Sequence, residues 1–167
     1  RRALLGLAGS LAVAASLMLD RSTMPEQRIA DHAHAFDFWL GDWKLTWGDS
    51  GVASNRIVRE MDDRVIAEHF LDASTNYRGS SWSVYDSLSD RWQQTWVDNQ
   101  GNYFALSGAW MQDRMVLETR PAGTDGRRYY RMVFRDIERD GFWWEWSVTE
   151  DKGATWTQKW LIRYTRI

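Results

Sequence analysis

Three histidines are the first side chains to weigh for chemistry, because imidazole serves both as a metal ligand and as a general acid or base. His32 and His34 are separated by a single residue, so they could share one metal ion. No third ligand lies near them in the sequence, and the absence of cysteine excludes disulfides and Cys-ligated metals. We therefore predict a solvated histidine pair, no metal site and no cofactor.

Glutamates within apolar runs are the second group. They are Glu68 in "IAEHF", Glu118 in "MVLET" and Glu145 between two tryptophans. A glutamate enclosed by apolar side chains would have a raised pKa and could act as a general acid. Each of the three also fits the polar face of its own segment, beside arginines such as Arg131 and Arg135. We expect outward ion pairs, and we keep an enzyme that uses an inward carboxylate as an alternative.

Tryptophan is the unusual feature of the composition, with 12 in 167 residues. Where side chains alternate between two faces, a run such as "RWQQTWVD" places its indoles on one face together with an amide. Such an aromatic wall favours an apolar or aromatic ligand held by one or two hydrogen bonds. The predicted ligand-binding residues are Trp82, Gln94, Trp96, Trp144, Trp146, Gln158 and Trp160. The alternative is that the rings, which bury about 150–250 Å² each, fill the interior.

The stretch "FDFWLGDWKLTW", residues 36–47, decides which elements position these side chains. Trp39, Trp43 and Trp47 recur every four residues, which is compatible with a helix or with a strand. Apolar and polar residues alternate through "WLGDWKLTW", and Gly41 would cost a helix about 1 kcal/mol. The pattern therefore predicts a strand with the indoles on one face.

Further strands of the same period follow, separated by turns that combine Gly with Asp or Asn, as in "GDSG", "DNQGN" and "ERDG". We predict them near 53–60, 64–71, 79–86, 91–98, 102–110, 113–120, 127–136, 141–149 and 155–165. Short strands without helix-length gaps are typical of an up-and-down sheet, and closure protects its two edges. The predicted fold is all-β, a closed up-and-down antiparallel β-barrel of about ten strands.

The motif "FWLGDWK", with Gly41 and Trp43, resembles the Gly-x-Trp first strand of the lipocalin and fatty-acid-binding (calycin) barrels. Together with "SVYDSLSDRWQQTWVDNQGNY" it looks like a bacterial, usually exported lipocalin-like family of uncharacterised function. The resemblance implies that the Trp43 indole plugs the barrel floor and that an arginine of the last strand packs across it. Arg163 is the predicted arginine and Arg166 the second choice, in a structural cation–π contact.

Haem-binding barrels of the same superfamily use a histidine as the axial ligand. His69 could take that position in this sequence. Those barrels carry a Gly-x-Trp-x-Gly-x-Gly signature, however, and "GDWKLTWG" lacks it. The resemblance therefore does not imply a haem cofactor.

The N-terminal segment predicts export, because Arg1 and Arg2 precede an uncharged apolar run over residues 3–19. We divide the chain into a signal peptide or uncleaved anchor helix (1–20), a connector with a short helix near 25–34 (21–35) and the barrel domain (36–167). We predict a periplasmic or secreted protein, exported by the Sec or twin-arginine route. Contact with the membrane is expected only through the N-terminal segment, if it stays uncleaved.

Charge bears on the choice of partner. The formal net charge is −2, whereas nucleic-acid-binding domains favour a strongly basic surface, so we predict no nucleic-acid partner. We predict non-enzymatic binding of a small hydrophobic or aromatic ligand inside the barrel. The sequence also allows a structural or protein-interaction barrel with a filled core, and a homodimer through exposed aromatics such as Trp143.

Overall fold

The structure is a computed structural model that describes residues 32–121 and 126–167. The predicted signal peptide and most of the predicted connector, including most of the helix expected near 25–34, lie outside the described residues. None of the helices in the described ranges is both long and apolar enough to span a membrane.

Ten strands and a short 3₁₀ helix (Asp37–Trp39) form the described chain. The strands are β1 (Gly41–Trp47), β2 (Gly51–Glu60), β3 (Val65–Asp72), β4 (Tyr77–Asp86), β5 (Arg91–Asp98), β6 (Tyr103–Met111), β7 (Arg114–Thr119), β8 (Tyr129–Glu138), β9 (Gly141–Thr149) and β10 (Thr157–Arg166). Residues with positive φ reverse the chain between them, among them Asp90 (φ 53°), Gly101 (φ 83°) and Gly153 (φ 87°). Gly101 belongs to the predicted turn "DNQGN".

Strand pairing closes the sheet into a barrel. Each strand pairs antiparallel with its neighbour in the chain, and β1 also pairs with β10. In that last ladder Trp43 lies opposite Arg166 and Leu45 lies opposite Tyr164. Closure leaves no strand edge unpaired, which removes the aggregation hazard of an open sheet. The predicted closed antiparallel barrel of ten strands is confirmed.

One end of the barrel is solid. We call its packed rings the aromatic floor and define it as Phe36, Trp39, Trp43, Phe134 and Phe142, each at most 1% exposed. The rings contact one another mostly edge to face, at centroid distances of 5.0–5.7 Å. The prediction that Trp39 lies on the first strand is wrong. This residue lies in the 3₁₀ helix that covers the floor, and its carbonyl accepts a hydrogen bond from Trp43 Nε1 at 2.7 Å.

Arg166 completes the floor at the end of β10. Its guanidinium carbon lies 4.1 Å from the centroid of the Trp43 ring. The same group donates hydrogen bonds of 2.9 Å to the carbonyls of Leu40 and Arg139. Gly41 permits this approach, because a Cβ at that position would lie 2.5 Å from Arg166 Nη1 and its φ of 123° excludes most other residues.

Arg163, the predicted partner of Trp43, lies on the outside of the barrel. Its guanidinium carbon is 5.5 Å from the Trp143 ring, which also faces outward. Side chains alternate along β10, so Arg163 points away from the interior that Tyr164 enters. The prediction of Arg163 is therefore wrong, and the second choice, Arg166, makes the contact.

Replacing Arg166 by alanine should lower the free energy of unfolding by about 2–4 kcal/mol, because the cation–π contact and two charged hydrogen bonds are lost. Arg163→Ala removes only an exterior contact, and it should lower that free energy by less than about 1 kcal/mol. Urea unfolding followed by tryptophan fluorescence measures both. Equal losses in the two variants would contradict the role of Arg166.

Candidate functional site

Above the aromatic floor the barrel is hollow. A cavity of about 180 Å³ lies toward the opposite end, where the odd-numbered strands finish. Its apolar lining consists of Phe70, Trp96, Phe104, Leu106, Met132, Trp144, Trp146, Trp160 and Ile162, and its polar lining of Glu68, Tyr77, Gln94 and Tyr164. The rings near the mouth are half-buried, so the cavity reaches solvent there.

Tryptophans of two adjacent strands form one wall of the cavity. Trp144 and Trp146 alternate on β9, and their rings are parallel within 1° at a centroid distance of 6.1 Å. Trp160 on β10 stands edge-on to Trp144 at 5.8 Å. The wall therefore presents flat indole faces and ring edges, which is the surface that flat aromatic molecules and cations prefer.

Five of the seven predicted ligand-binding residues line this cavity. They are Gln94, Trp96, Trp144, Trp146 and Trp160. Alternation along β5, β9 and β10 brings them to the interior as the sequence predicts. The Gln94 amide nitrogen donates to Ser83 Oγ at 2.9 Å, which holds this side chain against the wall.

Trp82 does not line the cavity, and its predicted inward orientation is wrong. It is 42% exposed on the outer face, whereas Ser81 and Ser83 are fully buried on the inner face of β4. The small serines occupy the interior because neighbouring strands fill it with large side chains. The apolar character of tryptophan therefore did not indicate which face of β4 is buried.

Gln158 also lies outside the cavity, because a β-bulge changes the register of β10. The ladder pairs Gln158 with Ser147 and then Trp160 with Trp146, and the register shifts between the two pairs. Gln158 is exposed as a result. A bulge of this kind reverses the direction of side chains and leaves no reliable sign in the sequence.

Glu68 forms a buried polar cluster at the side of the cavity. Its two carboxylate oxygens accept hydrogen bonds of 2.6 Å from Asn55 Nδ2 and from Ser81 Oγ. Asn55 Nδ2 also donates to the Tyr164 hydroxyl at 3.0 Å. Burial raises the pKa of the Glu68 carboxyl to about 7, although the hydrogen bonds from Ser81 and Asn55 act to lower it.

The expectation that Glu68 faces outward is wrong. On β3 it shares the inner face with Ile66 and Phe70, while His69 beside it is exposed. The useful signal was the size of those two neighbours, since large apolar residues two positions before and after a glutamate place it on the buried face. The polar partners Asn55 and Ser81 come from other strands and carry no such signal.

The other two glutamates lie on the outer face, as predicted. Glu145 accepts a hydrogen bond from Ser147 Oγ at 2.6 Å and lies 3.7 Å from Arg135 Nε. Glu118 pairs in the ladder with Arg131. Neither reaches the cavity, so Glu68 is the inward glutamate of the three.

The two N-terminal histidines each pair with an aspartate. His32 Nδ1 lies 2.6 Å from Asp90 Oδ1, and His34 Nδ1 lies 2.8 Å from Asp37 Oδ2. Within residues 32–121 and 126–167, no three acidic or histidine side chains come together as metal ligands. His69 is exposed on the outer face, away from the cavity.

Asp98 organises the rim of the cavity. Its Oδ2 accepts hydrogen bonds from Tyr77 Oη at 2.9 Å and from Trp96 Nε1 at 3.0 Å. Burial acts to raise the pKa of Asp98, but hydrogen bonds from Trp96, Asn102 and Tyr77 outweigh it and lower the pKa to about 2. The carboxylate stays ionised and fixes two of the rings that line the mouth.

The closed ten-stranded antiparallel barrel is consistent with a calycin or lipocalin-like fold. No protein-family model matches the chain, and no curated protein sequence matches it. The site itself is an aromatic cavity whose lining contains one buried carboxyl group, that of Glu68.

Ionisation of Glu68 should make the protein less stable as the pH rises. The folded pKa of about 7 lies above the ordinary value of 4.5, so the folded state holds this proton more tightly than the unfolded state does. Stability from this group is complete below about pH 4.5 and is lost as the pH rises to about 7, by about 3 kcal/mol. Glu68→Gln should abolish that loss.

Urea unfolding of the wild type and of Glu68→Gln at about pH 5 and about pH 8 measures the free energy of unfolding of each protein. The advantage of Glu68→Gln over the wild type should be confined to the higher pH. The matched control is Glu118→Gln on the outer face, which should alter the unfolding free energy by no more than about 0.5 kcal/mol at either pH. A pH dependence that Glu68→Gln leaves intact would show that another group is responsible.

Proposed function

We propose that this protein is a lipocalin-like barrel that binds a small hydrophobic or aromatic ligand without transforming it. The observation that carries this proposal is the aromatic cavity of about 180 Å³ that opens at one end of a barrel whose other end is solid. A cavity of this kind encloses most of a small ligand and leaves one route for entry.

The size and lining of the cavity support a ligand of one or two rings. An apolar cavity of about 150 Å³ accommodates a benzene molecule, so this cavity has room for little more than a substituted ring or a bicyclic one. Trp144, Trp146 and Trp160 offer faces and edges for stacking. Gln94 and Glu68 supply the few polar atoms that orient a guest.

We also propose that the chain is a bacterial exported protein of the lipocalin-like family. The Gly-x-Trp at Gly41 and Trp43 and the arginine of the last strand at Arg166 support the family. The apolar run behind Arg1 and Arg2 supports export by the Sec or twin-arginine route.

An enzyme that uses the same cavity is the second candidate, and Glu68 is the observation that favours it. A buried carboxyl group with a pKa of about 7 can both give and take a proton near neutral pH. Native mass spectrometry of protein purified from its own host separates the two candidates. A retained molecule that keeps its mass during incubation supports binding, whereas conversion to a product of different mass supports catalysis.

Titration with naphthalene tests the binding proposal directly. Binding should shift the indole N–H resonances of Trp144 and Trp146, which line the cavity, and leave that of Trp82 on the outer face unchanged. Leu106→Phe fills part of the cavity and should weaken binding by about tenfold or more. Leu161→Phe adds the same bulk on the outer face of β10 and should leave the affinity within about twofold. Uniform shifts, or equal effects of the two variants, would refute an interior site.

A further inference from the structure

We propose that the ligand of this cavity is a small organic cation, a protonated amine on an aromatic or apolar body, whose ammonium group pairs with Glu68. This inference rests on the proposed function and names the class of ligand. The ring of the guest would lie among the tryptophans, and its charge would lie at the polar cluster of Asn55, Glu68, Ser81 and Tyr164.

The charges of the lining support a cation. Glu68 is the one carboxylate among the described residues that line the cavity, and that part of the chain contributes no Lys, Arg or His to the lining. An ionised carboxylate in an apolar interior is costly unless it is paired. The lining therefore offers no positive partner to the ionised form of Glu68, and an ammonium group would supply one.

The hydrogen-bonding capacity of the cluster points to a donor. Each oxygen of Glu68 accepts one hydrogen bond, although a carboxylate oxygen can accept two. Asn55 is 2% exposed, and its Oδ1 has no hydrogen-bond partner among the described residues. An ammonium group carries three donors and no acceptor, which complements a cluster with spare acceptors.

The aromatic wall supports the same class of ligand. Cations bind the faces of tryptophan rings through the ring quadrupole, and such contacts strengthen where water is excluded. Trp144, Trp146 and Trp160 lie on the same lining as Glu68. A carboxylate and several indoles in one small cavity favour a cation over a neutral molecule of the same shape. They disfavour an anion such as a fatty acid, because the lining offers it no positive charge.

Binding of a cation should be linked to the ionisation of Glu68. The groups that face Glu68 are Asn55 on β2, Ser81 and Tyr77 on β4, and Tyr164 on β10. Burial raises the pKa values of Tyr77 and Tyr164 above the ordinary value of 10, so these phenols stay neutral near neutral pH. Glu68, with a pKa of about 7, is the group whose charge changes there.

Three probes of similar shape test the inference. They are phenethylamine (a cation), phenethyl alcohol (neutral) and hydrocinnamate (an anion), titrated into the full chain by isothermal calorimetry at about pH 8. Phenethylamine should bind about tenfold more tightly than phenethyl alcohol, and hydrocinnamate should bind most weakly. Glu68→Gln should remove the preference for the amine and leave the alcohol unaffected. Glu118→Gln, on the outer face, should change neither.

The wild-type protein provides a measurement that does not depend on the folding of any variant. Between about pH 8 and about pH 5.5 the amine stays charged while Glu68 gains a proton, so affinity for phenethylamine should fall by about tenfold. Affinity for phenethyl alcohol should stay constant over the same range. Opposite or equal pH dependence of the two probes would overturn the inference.

The outcomes separate the two proposals. Binding of the alcohol without any preference for the amine, or a preference that survives Glu68→Gln, overturns the cation and leaves the hydrophobic site intact. Tighter binding of hydrocinnamate than of phenethylamine also overturns the cation. If none of the three probes nor naphthalene binds, the binding function itself is refuted.

Discussion

The pairing of the first strand with the last is the constraint on which the rest of this structure depends, and the Arg166 guanidinium over the Trp43 indole secures it. The two residues face each other in the closing ladder, so one contact joins the two ends of the barrel domain. Gly41 lets the charged group approach, and the backbone carbonyl of Leu40 holds it. Without closure neither the aromatic floor nor the cavity would have a continuous wall.

The same type of side chain serves two purposes at the two ends of the barrel. At the floor, Phe36, Trp39 of the 3₁₀ helix and rings from three strands meet mostly edge to face and exclude solvent, because Phe36 and Trp39 enter from outside the sheet to fill the centre. At the mouth no such segment enters among the described residues, and Trp144 and Trp160 line the wall around a space. A ten-stranded barrel is wide enough to enclose a cavity unless another segment fills it, so the 3₁₀ helix determines which end is solid.

Glu68 is the group that fits a purely structural interior least well. Its carboxyl group is buried, and the two hydrogen bonds that it accepts from Asn55 and Ser81 orient the side chain without neutralising its charge. A leucine there would be expected to serve packing equally well. Buried ionisable groups with a shifted pKa cluster where a ligand or a proton is handled, which is why the enzyme candidate and the cation inference both centre on this residue.

The sequence by itself determined the class of fold and most of the aromatic wall. Alternation is a local property, so the period of two in "WLGDWKLTW" and the turns between strands predicted the ten strands, and Gln94, Trp96, Trp144, Trp146 and Trp160 follow from it. Only the tertiary structure decided the faces of Trp82 and Gln158 and the polar partners of Glu68. The physical reason is that a strand with apolar residues on both faces has no local preference for either. A bulge on β10, and the space left by side chains from other strands, make that choice.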